Sequence, residues 1–252
     1  MVILMSIAAF LSTLIGGFVA IRFKDKLHLI IGFSAGAVLG LVFFDLIPES
    51  LELGSNFYNI DMIVFFIAIG FIAYLILDRV ITMHSHSHDG CHEDDVHTMI
   101  QDENDNNRRG VLRASSFSVH SLLDGVIIGL TFQVSVSIGI IVAIAVLVHD
   151  FSDGINVVGL IFRHEGQDRQ AYKWLVVNAL APILGASSTL LFTLPEQSLS
   201  IVLALFSGFF LYIGASDLIP ESHHAHPKFL TTAMTLVGVI VLYIAISLAR
   251  LH

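Results

Sequence analysis

Long apolar stretches alternate with short polar breaks along this chain, a pattern that predicts helices crossing a membrane. The apolar spans cover about 2–21, 29–51, 61–82, 112–133, 136–162, 172–193, 199–221 and 229–250. Each is close to the ~20 residues a helix needs to traverse a hydrocarbon core of about 30 Å. The fifth is long for one crossing and is expected to tilt or to project beyond the bilayer. Only one break is long, at about 83–111, which contains MHSHSHDGCHEDDVHTMIQDENDNNRRG. It has too few apolar residues to bury a core and is expected to lack fixed structure. The fold class expected is all-α: a polytopic membrane bundle of eight transmembrane helices forming a single transmembrane domain over 1–252.

Composition agrees. Of 252 residues, 55% are hydrophobic and 13% charged, where a soluble domain carries about 25% charged residues. The net charge of −9 says little about partners, because the acids gather in the long break and inside the spans. Twelve Lys plus Arg form no basic stripe, so nucleic acid is not an expected partner. The single cysteine, Cys91, permits no internal disulfide. The start, MVILMSIAAFLSTLIGG, has no basic leader region and reads as a retained first span.

Basic residues give the orientation. With the N-terminus outside, the cytoplasmic breaks hold Arg22, Lys24, Lys26, Arg79, Arg108, Arg109, Arg113, Arg163, Arg169, Lys173 and Lys228, leaving only Arg250 outside. Such asymmetry places Lys and Arg on the cytoplasmic side. Both termini are therefore expected to be extracytoplasmic, in a plasma (inner) membrane.

The fourth and fifth spans carry the same polar interruption: His120-Ser-Leu-Leu-Asp124-Gly125 and His149-Asp150-Phe-Ser-Asp153-Gly154. His and Asp four apart lie on one helix face, one turn from each other. Two facing helices then offer two imidazoles and two carboxylates, enough to hold a divalent transition metal such as zinc. An ionised acid at mid-membrane costs about 2.5–3.5 kcal/mol, so three cost roughly 8–10 kcal/mol unless neutralised. No Lys or Arg lies within a turn of Asp124, Asp150 or Asp153. Hydrogen bonding between helices is the plainer explanation for one such residue, but not for a duplicated His/Asp pair.

A second duplication frames the first. DLIPES occurs at Asp45–Ser50, ending the second span, and at Asp217–Ser222, ending the seventh. Five spans separate the copies, so they run in opposite directions, as in inverted-repeat transporters. The arrangement implied is 3+2+3: three helices, the His/Asp pair, and three inverted helices. Pro48 and Pro220 should loosen or kink their helices. Asp45 with Glu49, and Asp217 with Glu221, again stand four apart. By orientation the first pair lies toward the outside and the second, followed by His223, His224 and His226, toward the cytoplasm. These are the expected entrance and exit of a cation path. In the long break, His84, His86, His88, His92 and His97 with Cys91 form an adaptable metal-binding tract.

With these motifs assembled, the chain resembles the ZIP (Zrt/Irt-like) family of divalent metal transporters, nearest its bacterial GufA-like and ZupT-like branches. The likeness extends over nearly the whole chain, and the paired segments of the fourth and fifth spans are its most specific part. It implies His120, Asp124, His149 and Asp153 as principal ligands and Asp150 as a ligand of a second, adjacent metal. It also implies alternating access, the helices that hold the site moving against the rest. The family's usual asparagine after the first histidine is Ser121 here, and its two prolines are Leu123 and Ser152. In the sixth span Pro182 stands where relatives carry an acid. One transport site is therefore expected, not a binuclear centre, without proline kinks beside it.

The function expected is uptake of a divalent metal, zinc first, with Fe2+, Mn2+, Co2+ and Cd2+ not separable by ligand type alone. The metal is cargo and no catalytic cofactor is implied. An intramembrane metal-dependent hydrolase is the alternative from another class, yet four good ligands leave no open position for chemistry. A proton-coupled cation antiporter is the other alternative; it uses the acids but gives no reason for two histidines. The expected partners are metal ions and the lipid bilayer, and the bundle is compatible with a homodimer.

Overall fold

The spans seen in the sequence become helices in a computed structural model, which describes residues 1–22, 27–86, 99–163, 168–223 and 229–249. Helix α1 is Val2–Arg22, α2 Leu27–Leu41, α3 Ile47–Gly54 and α4 Ile60–His86. Then follow α5 (Met99–Val134), α6 (Val136–Arg163) and α7 (Asp168–Ser188). Helix α8 is Glu196–Tyr212, α9 Ile219–His223 and α10 Phe229–Ala249. Among the described residues there is no strand, and eight helical stretches are long and apolar enough to cross a membrane. The second runs Leu29–Gly54 through α2 and α3. Large apolar side chains such as Leu11, Phe65, Ile72 and Ile240 point outward, as a lipid-facing surface requires.

Both ends of the 83–111 stretch expected to lack fixed structure are helical. Helix α4 continues to His86 and α5 already begins at Met99. Extending an existing helix adds a hydrogen bond for each residue fixed, without the cost of nucleation, so the polar flanks MHSH and MIQDENDNNRRG prolong the apolar helices. Residues 87–98, with His88, His92 and His97, lie outside the described residues.

The duplicated DLIPES segments fold alike. In each, the helix widens into a π-turn just before the proline: Val42–Leu46 precedes Pro48, and Ile213–Leu218 precedes Pro220. The Ile47 amide donates to the Val42 carbonyl and the Ile219 amide to the Gly214 carbonyl, five residues back in both. Proline has no N–H for the usual bond and its ring crowds the preceding turn. The expected loosening therefore takes the form of a π-bulge, a feature that recurs at functional sites.

Packing reveals the same inverted symmetry. The most extensive interfaces pair α1 with α6, α5 with α7, α2 with α10, and α4 with α8. Exchanging α1 with α7, α2 with α8, α4 with α10, and α5 with α6 maps this set onto itself. Each interface closes on two glycines, one per helix: Gly16 and Gly154, Gly125 and Gly185, Gly36 and Gly238, Gly70 and Gly208. A methyl group at any of them would collide with a carbonyl of the partner helix, the close approach that small residues permit between membrane helices. Two layers result. Helices α1, α5, α6 and α7 form one, and α2, α3, α4, α8, α9 and α10 the other. Between them lies an apolar core that includes Val38, Leu41, Ile127, Val142 and Phe210.

Candidate metal site

Helices α5 and α6 lie against each other, and their His/Asp stripes meet. Gly125, one residue after Asp124, sits on the Pro182 carbonyl of α7, and Gly154, one after Asp153, on the Thr13 carbonyl of α1. Adjacent helical residues point about 100° apart. Turning each glycine toward its outer neighbour therefore turns the preceding aspartate inward. The Ser12 hydroxyl of α1 donates to the Leu147 carbonyl at 2.6 Å, and the Ser34 hydroxyl of α2 to the Val148 carbonyl at 3.3 Å. These bonds hold the turn of α6 that presents His149.

His120, Asp124, His149 and Asp153 come together, each at most 4% exposed. One ligand atom from each lies within 4.8 Å of all the others. His120 Nε2 is 3.2 Å from Asp124 Oδ2 and 3.5 Å from Asp153 Oδ2. His149 Nε2 is 3.4 Å from the same Asp153 oxygen, and the two Nε2 atoms are 2.5 Å apart. Asp153 is thus the carboxylate reached by both imidazoles.

Asp150 is fully buried but does not join the four converging atoms. Following His149 directly, it points about 100° away from that histidine, though it stays within electrostatic reach of Asp124 and Asp153. Among the described residues, the Asp150 oxygens, the Ser121 and Ser152 hydroxyls and both polar atoms of the Asn178 amide are buried without a hydrogen-bond partner. Such groups cost free energy in an apolar setting. Their concentration on α5, α6 and α7 marks a polar interior suited to an ion.

Other anticipated residues are farther along the helices. Asp45 is buried within the first π-turn, and Glu49 is half-buried on α3. Asp217, in the second π-turn, and Glu221 and His223, in α9, are placed by backbone alone. His84 and His86 likewise end α4. His224 and His226 lie outside the described residues.

The sequence reading missed an aromatic wall. The His120 ring stacks on Phe209 at 5.5 Å and lies 6.2 Å from Tyr74. Tyr74 in turn meets Phe209 edge-on at 4.2 Å. Tyr74 stands nine residues after the lipid-facing Phe65, which puts it on the opposite face of α4.

A model of the ZIP zinc transporter family matches residues 1–115 and 92–245. The chain belongs to the ZIP family. Its relatives include zinc transporter YKE4 of Saccharomyces cerevisiae, 25% identical over 229 residues, which cover 81% of this chain and 63% of that protein. Zinc transporter ZupT of Shigella dysenteriae is 24% identical over 235 residues, covering 90% of this chain and 88% of ZupT. Zinc transporter zipt-7.1 of Caenorhabditis briggsae is 22% identical, covering 88% of this chain and 70% of that protein. The chain thus spans less than two thirds of the yeast relative's length but most of the bacterial one. Membership agrees with the eight apolar crossings and identifies a multi-pass integral membrane protein.

Proposed function

We propose that this ZIP protein carries divalent transition-metal ions, zinc foremost, across a membrane, with His120, Asp124, His149 and Asp153 holding the ion midway. The observation that carries this reading is the convergence of four ligand atoms, two nitrogens and two oxygens, in a fully buried place. Tetrahedral zinc with bonds of about 2.0–2.2 Å sets its ligands about 3.3–3.5 Å apart. The His–Asp separations of 3.2–3.5 Å match that spacing. The two imidazole nitrogens would part by roughly an ångström to complete the shell.

The zinc transporters named among the relatives support zinc as cargo and transport as the activity, rather than hydrolysis. Mixed nitrogen and oxygen ligands also suit Fe2+, Mn2+, Co2+ and Cd2+, so selectivity would rest on geometry and availability. Uptake into the cytoplasm is the direction we favour, from the basic residues on one side of the spans. In this scheme the ion enters past Asp45 and Glu49 and leaves past Asp217, Glu221 and the His223, His224 and His226 cluster. His84, His86, His88, His92 and His97 would buffer metal in the cytoplasm. Asp150, beside the site, would attract the ion rather than complete its shell. The two helical layers supply the moving and fixed parts that alternating access requires.

Radiozinc uptake into proteoliposomes, with competing divalent ions, tests the proposal. Wild type should accumulate zinc and Asp124→Ala should not. Uptake by Asp124→Ala at the wild-type rate would refute the ligand assignment.

A further inference from the structure

The inverted symmetry makes the two flanks of the site directly comparable, and they differ. Aligning the DLIPES copies places Phe209, Phe210 and Tyr212 of α8 opposite Ala37, Val38 and Gly40 of α2. Aligning the paired glycines Gly70 and Gly238 places Tyr74 of α4 opposite Leu242 of α10. On the α2 flank, closure is by helix packing: Gly36 abuts the α10 backbone, and a Cβ on Gly40 would lie 3.0 Å from Leu242. On the α8 flank, side chains close the gap. Phe209 stacks on the His120 ring with 20° between planes, Tyr74 caps both, and Tyr212 packs 5.2 Å from Tyr74. Among the described residues His149, the symmetry mate of His120, has one ring neighbour, His120 itself.

From this asymmetry we infer that Phe209 and Tyr74 form a side-chain gate over the His120 edge of the site, whereas the α2 flank opens only when whole helices separate. The inference rests on the His/Asp cluster being the transport site. Rotating an aromatic ring uses two side-chain torsions and is fast, while separating packed helices belongs to slower collective motion. An ion leaving along the α8 flank must displace the Phe209 ring from His120. Tyr74, bridging to Tyr212, sets how far that ring can move. The Tyr212 hydroxyl donates to Asp78 at 3.0 Å, which fixes the outer end of the ring cluster to α4.

A gate is a barrier, so removing it speeds passage in both directions and leaves equilibrium affinity alone. Stopped-flow zinc binding and chelator-triggered release in nanodiscs test this with Phe209→Ala, Phe209→Leu and Tyr74→Ala, using the lipid-facing Phe65→Ala as control. Both rates should rise about tenfold in Phe209→Ala and Tyr74→Ala, with Kd unchanged within about twofold. Phe209→Leu, which keeps bulk in the core, should lie between them and wild type. A metal-free measurement runs in parallel: carbethoxylation of His120 by diethyl pyrocarbonate, read by peptide mass, should increase in Phe209→Ala and Tyr74→Ala, less in Phe209→Leu, and not in Phe65→Ala. Unchanged rates and unchanged His120 labelling in well-folded Tyr74→Ala and Phe209→Leu would overturn the gate. So would a slower release with a weaker Kd. A wild-type protein that binds no zinc, yet shows increased His120 labelling in Phe209→Ala, would overturn the site reading and leave the ring barrier standing.

Discussion

Asp153 is the carboxylate that touches both histidines, at 3.5 and 3.4 Å, so its loss should affect metal binding and metal-free stability in opposite directions. Zinc held by four protein ligands is worth about 10–16 kcal/mol in small domains at neutral pH. An equal share gives about 2.5–4 kcal/mol per ligand, or roughly a hundred- to thousandfold in affinity. Without metal, the same buried carboxylate is a liability of about 2.5–3.5 kcal/mol if ionised. Asp153→Ala, and the closer isostere Asp153→Asn, should therefore bind zinc at least a hundredfold more weakly and melt no lower than wild type when metal-free. The assay is thermal unfolding in detergent with and without zinc, paired with competition binding against a chelator. Wild type should gain stability with zinc, by about 2.7 kcal/mol at a hundredfold excess over Kd, while both variants gain almost none. A full zinc-dependent gain in Asp153→Asn would remove Asp153 from the ligand set. A metal-free protein markedly less stable than wild type would mean that the carboxylate serves structure instead.

Three further outcomes follow from the same geometry. Ligand imidazoles must be neutral and ligand carboxylates ionised to hold metal, so protonation competes with zinc and uptake should fall as the pH is lowered; transport independent of pH wherever the protein stays folded would contradict the His/Asp ligands. Gly154→Leu places a branched side chain against the Thr13 carbonyl of α1 and should lower stability by about 1–3 kcal/mol or more, seen as a lower melting temperature, whereas the same change at Gly159, with open space around it, should not. The Gln133 amide donates to the Thr189 and Phe192 carbonyls and accepts from the Leu194 amide; Gln133→Ala removes all three bonds and should cost about 1–3 kcal/mol, with faster hydrogen exchange confined to the 189–194 turn.

Hydropathy located all eight crossings because burying backbone in lipid admits only long apolar helices. The ligand cluster was legible for a similar reason: a four-residue spacing puts His120 with Asp124, and His149 with Asp153, on one stripe whatever surrounds them. Asp150 was harder to place, since polarity alone does not tell which way a residue next to a ligand turns; only the packing of α6 on α1 decides it. The aromatic wall was illegible. Tyr74 and Phe209 sit in apolar spans where, by composition, they resemble the lipid-facing Phe65, and their contact with His120 joins α4 and α8 to α5 across the two layers. Asn178, four residues before Pro182, reads as one polar residue in the sixth span, yet it is fully buried and, among the described residues, its amide lacks a hydrogen-bond partner. Pro48 and Pro220 signalled a disturbance, but its form as a π-turn depended on how the helix recovered its bonds.

The adjacency of Asp and Gly in both central segments ties packing to chemistry. Gly125 fixes the rotation of α5 against α7, and Gly154 that of α6 against α1; the neighbouring Asp124 and Asp153 are thereby aimed between α5 and α6. A larger residue at either glycine would push its helix away from that outer neighbour and shift its ligands out of register. Ligand position errors of about 1 Å matter at a site of this kind. The two helices of the pair meet directly, and each also takes its rotation from an outer helix related to the other by the inverted repeat. One short motif, used twice in opposite directions, thus sets the helix contact and the ligand direction at once. The same economy explains why His120 and His149 diverge only where the outer layer differs, in the rings of α4 and α8.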